Sequence, residues 1–376
     1  MLFAPLAAFC ISFLFYPILL KICEKRKWFD TTGGRKVHKG NVPRLGSIGF
    51  VPLFFAVSAV IIEQRELPRL LPVYIPAFAL FLFGIIDDFT DLRARVKLVL
   101  QCAVSLVPIL SGLYLRELGP LKLGVFGPVL TFFYLLGFIN AFNLIDGIDA
   151  LCAGISLGSA LSLAVIYAFA KLNSQSSIMF VLSATLAAFL FYNKPKAKIF
   201  MGDGGSQFLG FFLAAFPLLP DAPHIEYNKL PLMLALAAIP ILDTIAAIWR
   251  RTRDGQLFFY PDNRHIHHKF LNMGYSVKSI LIVLFIIQFG LCVVAVSAVH
   301  FIAYFRALFV LSACFVAVCL FFAVIHYTER AVTRIKTQTK MEFCANQPVL
   351  EQIRESEMIL PARQSGKPTE DQNSEV

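Results

Sequence analysis

Charge is what this sequence has little of. Asp, Glu, Lys and Arg make up 15% of its 376 residues, where a soluble domain carries about 25%. With 57% of the chain hydrophobic and a mean hydropathy of +0.70, a soluble enzyme is excluded. No CxxC pair occurs among the eight cysteines, and Cys10, Cys102, Cys152, Cys292, Cys314 and Cys319 lie inside apolar runs. They read as small core-filling side chains rather than disulfides or zinc ligands. The stretch Leu2 to Leu20 lacks the basic n-region and small-residue cleavage site of a signal peptide, so it reads as a retained first helix. No internal repeat is evident, which argues against the paired halves of many transporters.

Apolar length, by contrast, is abundant. Runs approaching the ~17–25 residues needed to cross a bilayer recur along most of the chain. Hydropathy predicts an all-α, polytopic membrane protein with eleven spans, near 2–20, 48–63, 69–86, 98–115, 124–143, 150–170, 177–192, 204–220, 229–249, 279–299 and 305–327. Loops 21–47, 87–97, 144–149, 193–203 and 250–278 hold eight, three, no, three and six Lys/Arg, and the tail after 328 holds seven. That is 27 of the 34 basic residues on one side, which predicts an outside N-terminus and a cytoplasmic C-terminus. The expected domains are a membrane catalytic unit, 1–327, and a basic-to-polar tail, 328–376, read as a surface helix followed by disorder. The net charge of +10 follows from this asymmetry, with attraction of anionic lipid or nucleotide phosphates adding to it. No nucleic-acid partner is expected.

Several acids sit at span ends on that basic side. Asp87-Asp88, followed by Asp91, sit where one span leaves the membrane, a position costly for carboxylates unless solvated, paired or metal-bound. Adjacent helical residues point about 100° apart, so the two predict different jobs. Lys97 opens the next span, with Gln101 one turn on; it is either a snorkelling interface lysine or a site residue. Asn140, Asn143, Asp146 and Asp149 recur every third residue, a polar stripe that packing against lipid does not require. Helix-to-helix hydrogen bonding and a Mg²⁺ or phosphate site are the two readings. Asp203, flanked by glycines in Gly202-Asp203-Gly204-Gly205-Ser206, suits either a simple helix start or close backbone approach to an anion. The run lacks the G-K-[ST] ending of a Walker loop. His265, His267 and His268 follow Arg264; a diphosphate clamp is preferred over a transition-metal site, since no cysteine and few carboxylates accompany them. Asp243 falls within a span, where structural pairing and a site role are equally open. Together these residues describe phosphoryl-group chemistry on a diphosphate at a membrane face.

Five motifs in order then carry a family resemblance: Lys36-Val-His38 with Val42-Pro43-Arg44-Leu45-Gly46, the DDxxD run at 87–91, NAFNLIDGID at 140–149, FMGDGGS at 200–206 and HIHH at 265–268. The set resembles the polyprenyl-phosphate N-acetylhexosamine-1-phosphate transferases, polytopic phosphoglycosyl transferases, over most of the chain. HIHH resembles the GlcNAc-type branch, whereas the MurNAc-pentapeptide branch carries three consecutive histidines. The resemblance implies UDP-N-acetylhexosamine as donor, undecaprenyl phosphate as acceptor, a lipid-diphosphate sugar and UMP as products, and a cytoplasm-facing site in the bacterial inner membrane. It further implies Mg²⁺, with Mn²⁺ as a substitute, on Asp203, Asp146 and Asp149. Asp87 would activate the acceptor phosphate with support from Asp88, and Lys97 would meet a substrate phosphate. Asn140, Asn143, Asp146, Asp149, Lys36, His38, Arg264, His265, His267 and His268 would bind substrate. Ser47, Ala150, Phe258-Phe-Tyr-Pro261 and Asn263 depart from the family pattern, which leaves the hexosamine open among GlcNAc, GalNAc, FucNAc, QuiNAc and MurNAc-pentapeptide. The surface polymer served is equally open. A transporter and a catalytically dead scaffold are the rival readings.

Overall fold

A computed structural model describes residues 3–29, 42–219, 223–255 and 264–359. Lys36, His38 and the 258–263 approach to the histidines lie outside them. The chain forms two units, 1–326 and 327–376. In chain order the elements are α1 (Phe3–Arg26), α2 (Val51–Ile61), α3 (Leu67–Thr90), α4 (Ala94–Leu110), β1 (Glu117–Leu118), β2 (Leu121–Lys122), α5 (Phe126–Ile145), α6 (Leu151–Phe169) and α7 (Asn173–Asn193). Then come α8 (Asp203–Ala215), α9 (Pro223–Glu226), α10 (Lys229–Leu236), α11 (Ala238–Arg253), α12 (Ile266–Met273), α13 (Val277–Phe301) and α14 (Tyr304–Ile359). The protein is nearly all helical; β1 and β2 make one short antiparallel hairpin, Leu118 opposite Leu121, that hydropathy did not predict.

Seven described helices, α1, α3, α5, α6, α7, α13 and the first part of α14, are long and apolar enough to cross a membrane. The α10–α11 pair makes an eighth if counted as one span, although it bends by 83° between Leu236 and Ala238. The remaining expected segments do carry helices, but short ones: α2 has 11 residues, α4 has 17 and α8 has 13. Eleven residues rise only about 16 Å against a hydrocarbon core of about 30 Å. Hydropathy counts flanking 3₁₀ turns and apolar connections, such as Gly46–Gly49 before α2 and Phe216–Leu218 after α8, as part of a span.

Helix α8 is the centre of the first unit. All residues from Gly204 to Ala215 are buried, as expected for a helix apolar on every side. Phe208 and Phe212 stack along it and meet Phe54 of α2 at 5.8 and 5.0 Å. Glycines let its backbone reach its neighbours: Gly84 of α3 lies directly against Gly204, and a Cβ on Gly210 would stand 2.6 Å from the Phe138 carbonyl of α5. Small residues at such crossings are how helices approach closely in a membrane, where no hydrophobic force drives them together. Tyr16 and Ser12 of α1 donate to the Gly46 and Gly49 carbonyls at 2.9 and 2.7 Å, and so anchor the connection leading into α2.

Gly210→Ala therefore forces backbone apart rather than a side chain. It should lower stability by about 1–3 kcal/mol, read as a reduced melting temperature of the detergent-solubilised protein; an unchanged melting temperature would show that α5 and α8 have slack at this crossing.

Candidate active site

The ends of α3, α5 and α8 and the start of α4 bring the carboxylates together. Asp91 terminates α3 in a left-handed conformation (φ 48°). The Leu92 amide then donates to Asp87 Oδ1 at 2.8 Å, closing a tight turn into α4. That turn points Lys97 back at α3, where its ammonium forms an ion pair with Asp87 and donates to Asp203 Oδ2 at 3.1 Å. Asp203 Oδ1 in turn accepts from the Asn143 amide at 3.2 Å, which also donates to Ser206. Burial pushes the Asp203 carboxyl up, but its bonds to Asp87, Lys97 and Asn143 outweigh that and hold it below the ordinary range.

Asp88 points elsewhere, as its neighbour's 100° offset requires. Its carboxylate accepts from the backbone N–H of Asp203 at 2.9 Å and, more weakly, of Gly204 at 3.4 Å. The glycine-rich start of α8 thus has its first amides met by the Asp88 carboxyl. Gly202 (φ 80°) makes room, since a Cβ there would collide with Asp88 and with the Arg44 carbonyl. Backbone bonds Gly46 N–Phe200 O (2.8 Å), Phe200 N–Pro43 O (2.8 Å) and Ser47 N–Met201 O (3.1 Å) zip the 43–47 and 200–202 motifs side by side.

The stripe from Asn140 to Asp149 separates into different jobs. Asn140 donates to Gln101 of α4 at 2.9 Å, and Gln101 donates to Gln207 of α8 at 3.2 Å. This polar chain ties α4, α5 and α8 together, with Asn140 as one of its links. Asp146, just past the end of α5, faces the acids. Burial, then the charges of Asp203, Asp88 and Asp149, push its carboxyl well above the usual range. Asp149, expected on the metal, lies past the end of α5. Its Oδ2 accepts from the Lys196 and Ala197 amides at 3.1 Å each and fastens the turn ahead of α8. Helical spacing stops organising these residues because α5 ends at Ile145.

Among the described residues no three His, Cys, Asp or Glu side chains stand as a ready metal cage. Asp146 and Asp203 do fit a hard divalent cation: both offer carboxylate oxygens, and their mutual repulsion raises Asp146. Asp149 has one carboxylate oxygen, Oδ2, committed to backbone amides.

The histidines lie against this site through Gly147. A Cβ on Gly147 would sit 2.5 Å from the His267 ring. His267 is 1% exposed, and neither ring nitrogen has a hydrogen-bond partner among the described residues. Burial, then the neighbouring His268, push it down to about 3. His265 and His267 stack nearly parallel at 5.9 Å, with His268 4.4 Å beyond. Arg264 pairs with Asp254 at 2.8 Å on the exposed side. Asp243 of α11, not selected as a site residue from sequence, accepts from the Ile266 amide and faces His265 Nδ1, both at 2.9 Å. A mid-span carboxylate followed by a histidine cluster was the available signal, but neither residue type nor spacing specifies that pairing. A separate cavity of about 580 Å³ between α6 and α13, lined by residues such as Leu157, Phe285 and Val293, is almost wholly apolar and carries none of these acids.

Residues 70–220, from α3 through α8, match the family model described as glycosyl transferase family 4. The probable undecaprenyl-phosphate N-acetylglucosaminyl 1-phosphate transferase of Bacillus subtilis is 33% identical over 75% of this chain and 81% of its own length. The undecaprenyl-phosphate alpha-N-acetylglucosaminyl 1-phosphate transferases of Yersinia pestis and Escherichia coli K12 are 32% and 30% identical, over 73% and 74% of this chain and 78% of their own lengths.

Two predictions follow from local conformation. Ala150 holds φ 67° with its amide on Asn193 Oδ1 at 2.8 Å, a left-handed conformation that costs a Cβ-bearing residue about 1–2 kcal/mol. Ala150→Gly should raise the melting temperature slightly, the gain being reduced by glycine's entropy; a fall would place the residue's methyl packing above its strain. For His267, the folded value near 3 lies below the ordinary 6.5. The unfolded chain therefore binds more protons between those values, and stability contributed by the neutral ring is complete above about 6.5 and lost as pH falls toward 3. His267→Gln should flatten the acid limb of unfolding curves measured from pH 4 to 7, by at most about 1.4 kcal/mol per pH unit.

Proposed function

Because the chain belongs to glycosyl transferase family 4, alongside the undecaprenyl-phosphate N-acetylglucosaminyl 1-phosphate transferases, we propose that it transfers GlcNAc-1-phosphate from UDP-GlcNAc to undecaprenyl phosphate. An oxygen of the lipid phosphate forms a bond to the sugar-bearing phosphorus of the donor. The bond from that phosphorus to the bridging oxygen breaks, and UMP leaves with the electron pair. The observation that carries the reading is the convergence of Asp87, Asp88, Asp146 and Asp203 from three helix ends, with the Lys97 ammonium between Asp87 and Asp203.

In this reading Lys97 is the resting counter-ion of Asp87 and Asp203 and turns to meet an incoming phosphate, as a point charge on a flexible stem can. Its departure leaves Asp87 Oδ2 open to take the remaining proton of the acceptor phosphate, while Oδ1 stays on the Leu92 amide. Asn143 and Ser206 keep Asp203 in place. Asp88 holds the first turn of α8 and thereby the direction of Asp203. Asp146 and Asp203 are the residues we assign to Mg²⁺, with Mn²⁺ able to substitute; a bound ion supplies Lewis-acid stabilisation of phosphate charge. The histidine side, reaching the acids at Gly147, is assigned to the diphosphate or sugar.

The topology belongs to the same proposal: eleven apolar segments, some short or bent, an outside N-terminus, and a site facing the cytoplasm of a bacterial inner membrane. The skew of Lys/Arg toward one set of loops supports it.

The test is UMP release by purified protein with undecaprenyl phosphate, Mg²⁺ and a panel of UDP-sugars. UDP-GlcNAc should give UMP, Asp203→Asn and Asp87→Asn should each lose at least about 100-fold in kcat, and EDTA should stop turnover. UMP from another hexosamine alone would move the donor assignment. Turnover in EDTA would refute the carboxylate–metal account.

A further inference from the structure

A buried polar pairing outside the carboxylate cluster lies between α11 and the start of α12. Asp243 is 2% exposed and His265 is 7% exposed. One carboxylate oxygen of Asp243, Oδ1, accepts from the Ile266 backbone N–H at 2.9 Å, and the other, Oδ2, lies 2.9 Å from His265 Nδ1. His265 is the residue immediately ahead of α12, in extended conformation (φ −63°, ψ 160°). A carboxylate at this end of a helix is favoured by the free amides of the first turn. It is also acceptor-only, so the ring nitrogen that faces it must carry the hydrogen.

We propose that Asp243 is a positioning residue: it fixes the rotation of the His265 ring and places its proton on Nδ1, leaving Nε2 as the atom offered to substrate. Two independent contacts make the placement rigid, because the ring cannot turn without leaving a buried carboxylate oxygen unpaired, and the backbone bond to Ile266 holds that carboxylate still. The parallel packing of His265 on His267, and of His267 on Gly147 beside Asp146, carries this orientation to the edge of the acidic cluster. The consequence for turnover rests on the transferase reading above; the tautomer does not.

Asp243→Asn separates the two roles of the carboxylate. Its amide oxygen can still accept from Ile266, so α12 keeps its start, while its NH₂ now donates to Nδ1 and drives the proton to Nε2. The expected result is a loss of about 10- to 100-fold in kcat, with KM for UDP-GlcNAc changing far less. Asp243→Glu should recover part of the rate. Asp243→Asn combined with His265→Asn should be no slower than His265→Asn alone, because both changes remove one unit. A double variant slower by the product of the single effects, or a folded Asp243→Asn enzyme with wild-type kcat, would overturn the proposal. Ring ¹⁵N spectra of histidine-labelled protein in detergent, assigned with His265→Asn, supply a readout without turnover. Wild type should show a protonated Nδ1 and bare Nε2, reversed in Asp243→Asn; a bare Nδ1 in wild type would sink the assignment. If wild type releases no UMP from any donor, the transferase reading fails, and the spectra still decide the pairing.

Discussion

Everything at the acidic end of this bundle depends on how α8 begins. A helix buried on all sides cannot leave its first amides to solvent, and unpaired amides in an apolar layer are costly. Asp88 meets that need from α3, passing over Gly202, where no side chain obstructs it. Once the start of α8 is fixed, Asp203 projects toward Lys97 and Asn143, Ser206 follows one turn later, and Gln207 joins the buried amide chain with Gln101 and Asn140. Residue choice at 202, 204 and 210 is thus a matter of backbone clearance, and the chemistry at 203 follows from it.

Much of this was legible because apolar periodicity and charge placement are strong signals in a membrane protein. The acids at span ends and the basic skew of alternate loops were readable from sequence. So was the divergence of Asp87 and Asp88, which a helix imposes on any adjacent pair. The motif order led to the family in which the chain's relatives also fall. What was not legible depends on contacts between distant segments. Asn140 and Asn143 are one helical turn apart, yet one faces another helix and the other faces Asp203. Asp149 has the same spacing but lies past the end of its helix, where the chain's path and not the period decides its partner. Hydropathy likewise cannot tell a 13-residue buried helix from a full crossing, because apolar turns at either end extend the same signal.

The carboxylate half and the histidine half are also built by different means. In the first, ionic and hydrogen-bonded partners surround nearly every acid, while burial, then repulsion from its acidic neighbours, keeps Asp146 the hardest of them to ionise. In the second, one buried carboxylate serves both a ring and a backbone amide, and the next imidazole is stripped of polar partners among the described residues. The first arrangement suits holding charge; the second suits presenting a ring nitrogen in a chosen direction.

The join between the halves, His267 resting on Gly147, has a mechanical meaning. At that point the touching groups share no hydrogen bond, only van der Waals contact, and such contact changes little in energy over a few tenths of an ångström of sliding. The α3–α5–α8 side has no such freedom, since its glycine crossings are backbone against backbone. The molecule therefore resembles a fixed bed with an adjustable jaw. Small shifts on the histidine side can be absorbed at this contact without moving the carboxylate oxygens of Asp87 and Asp203.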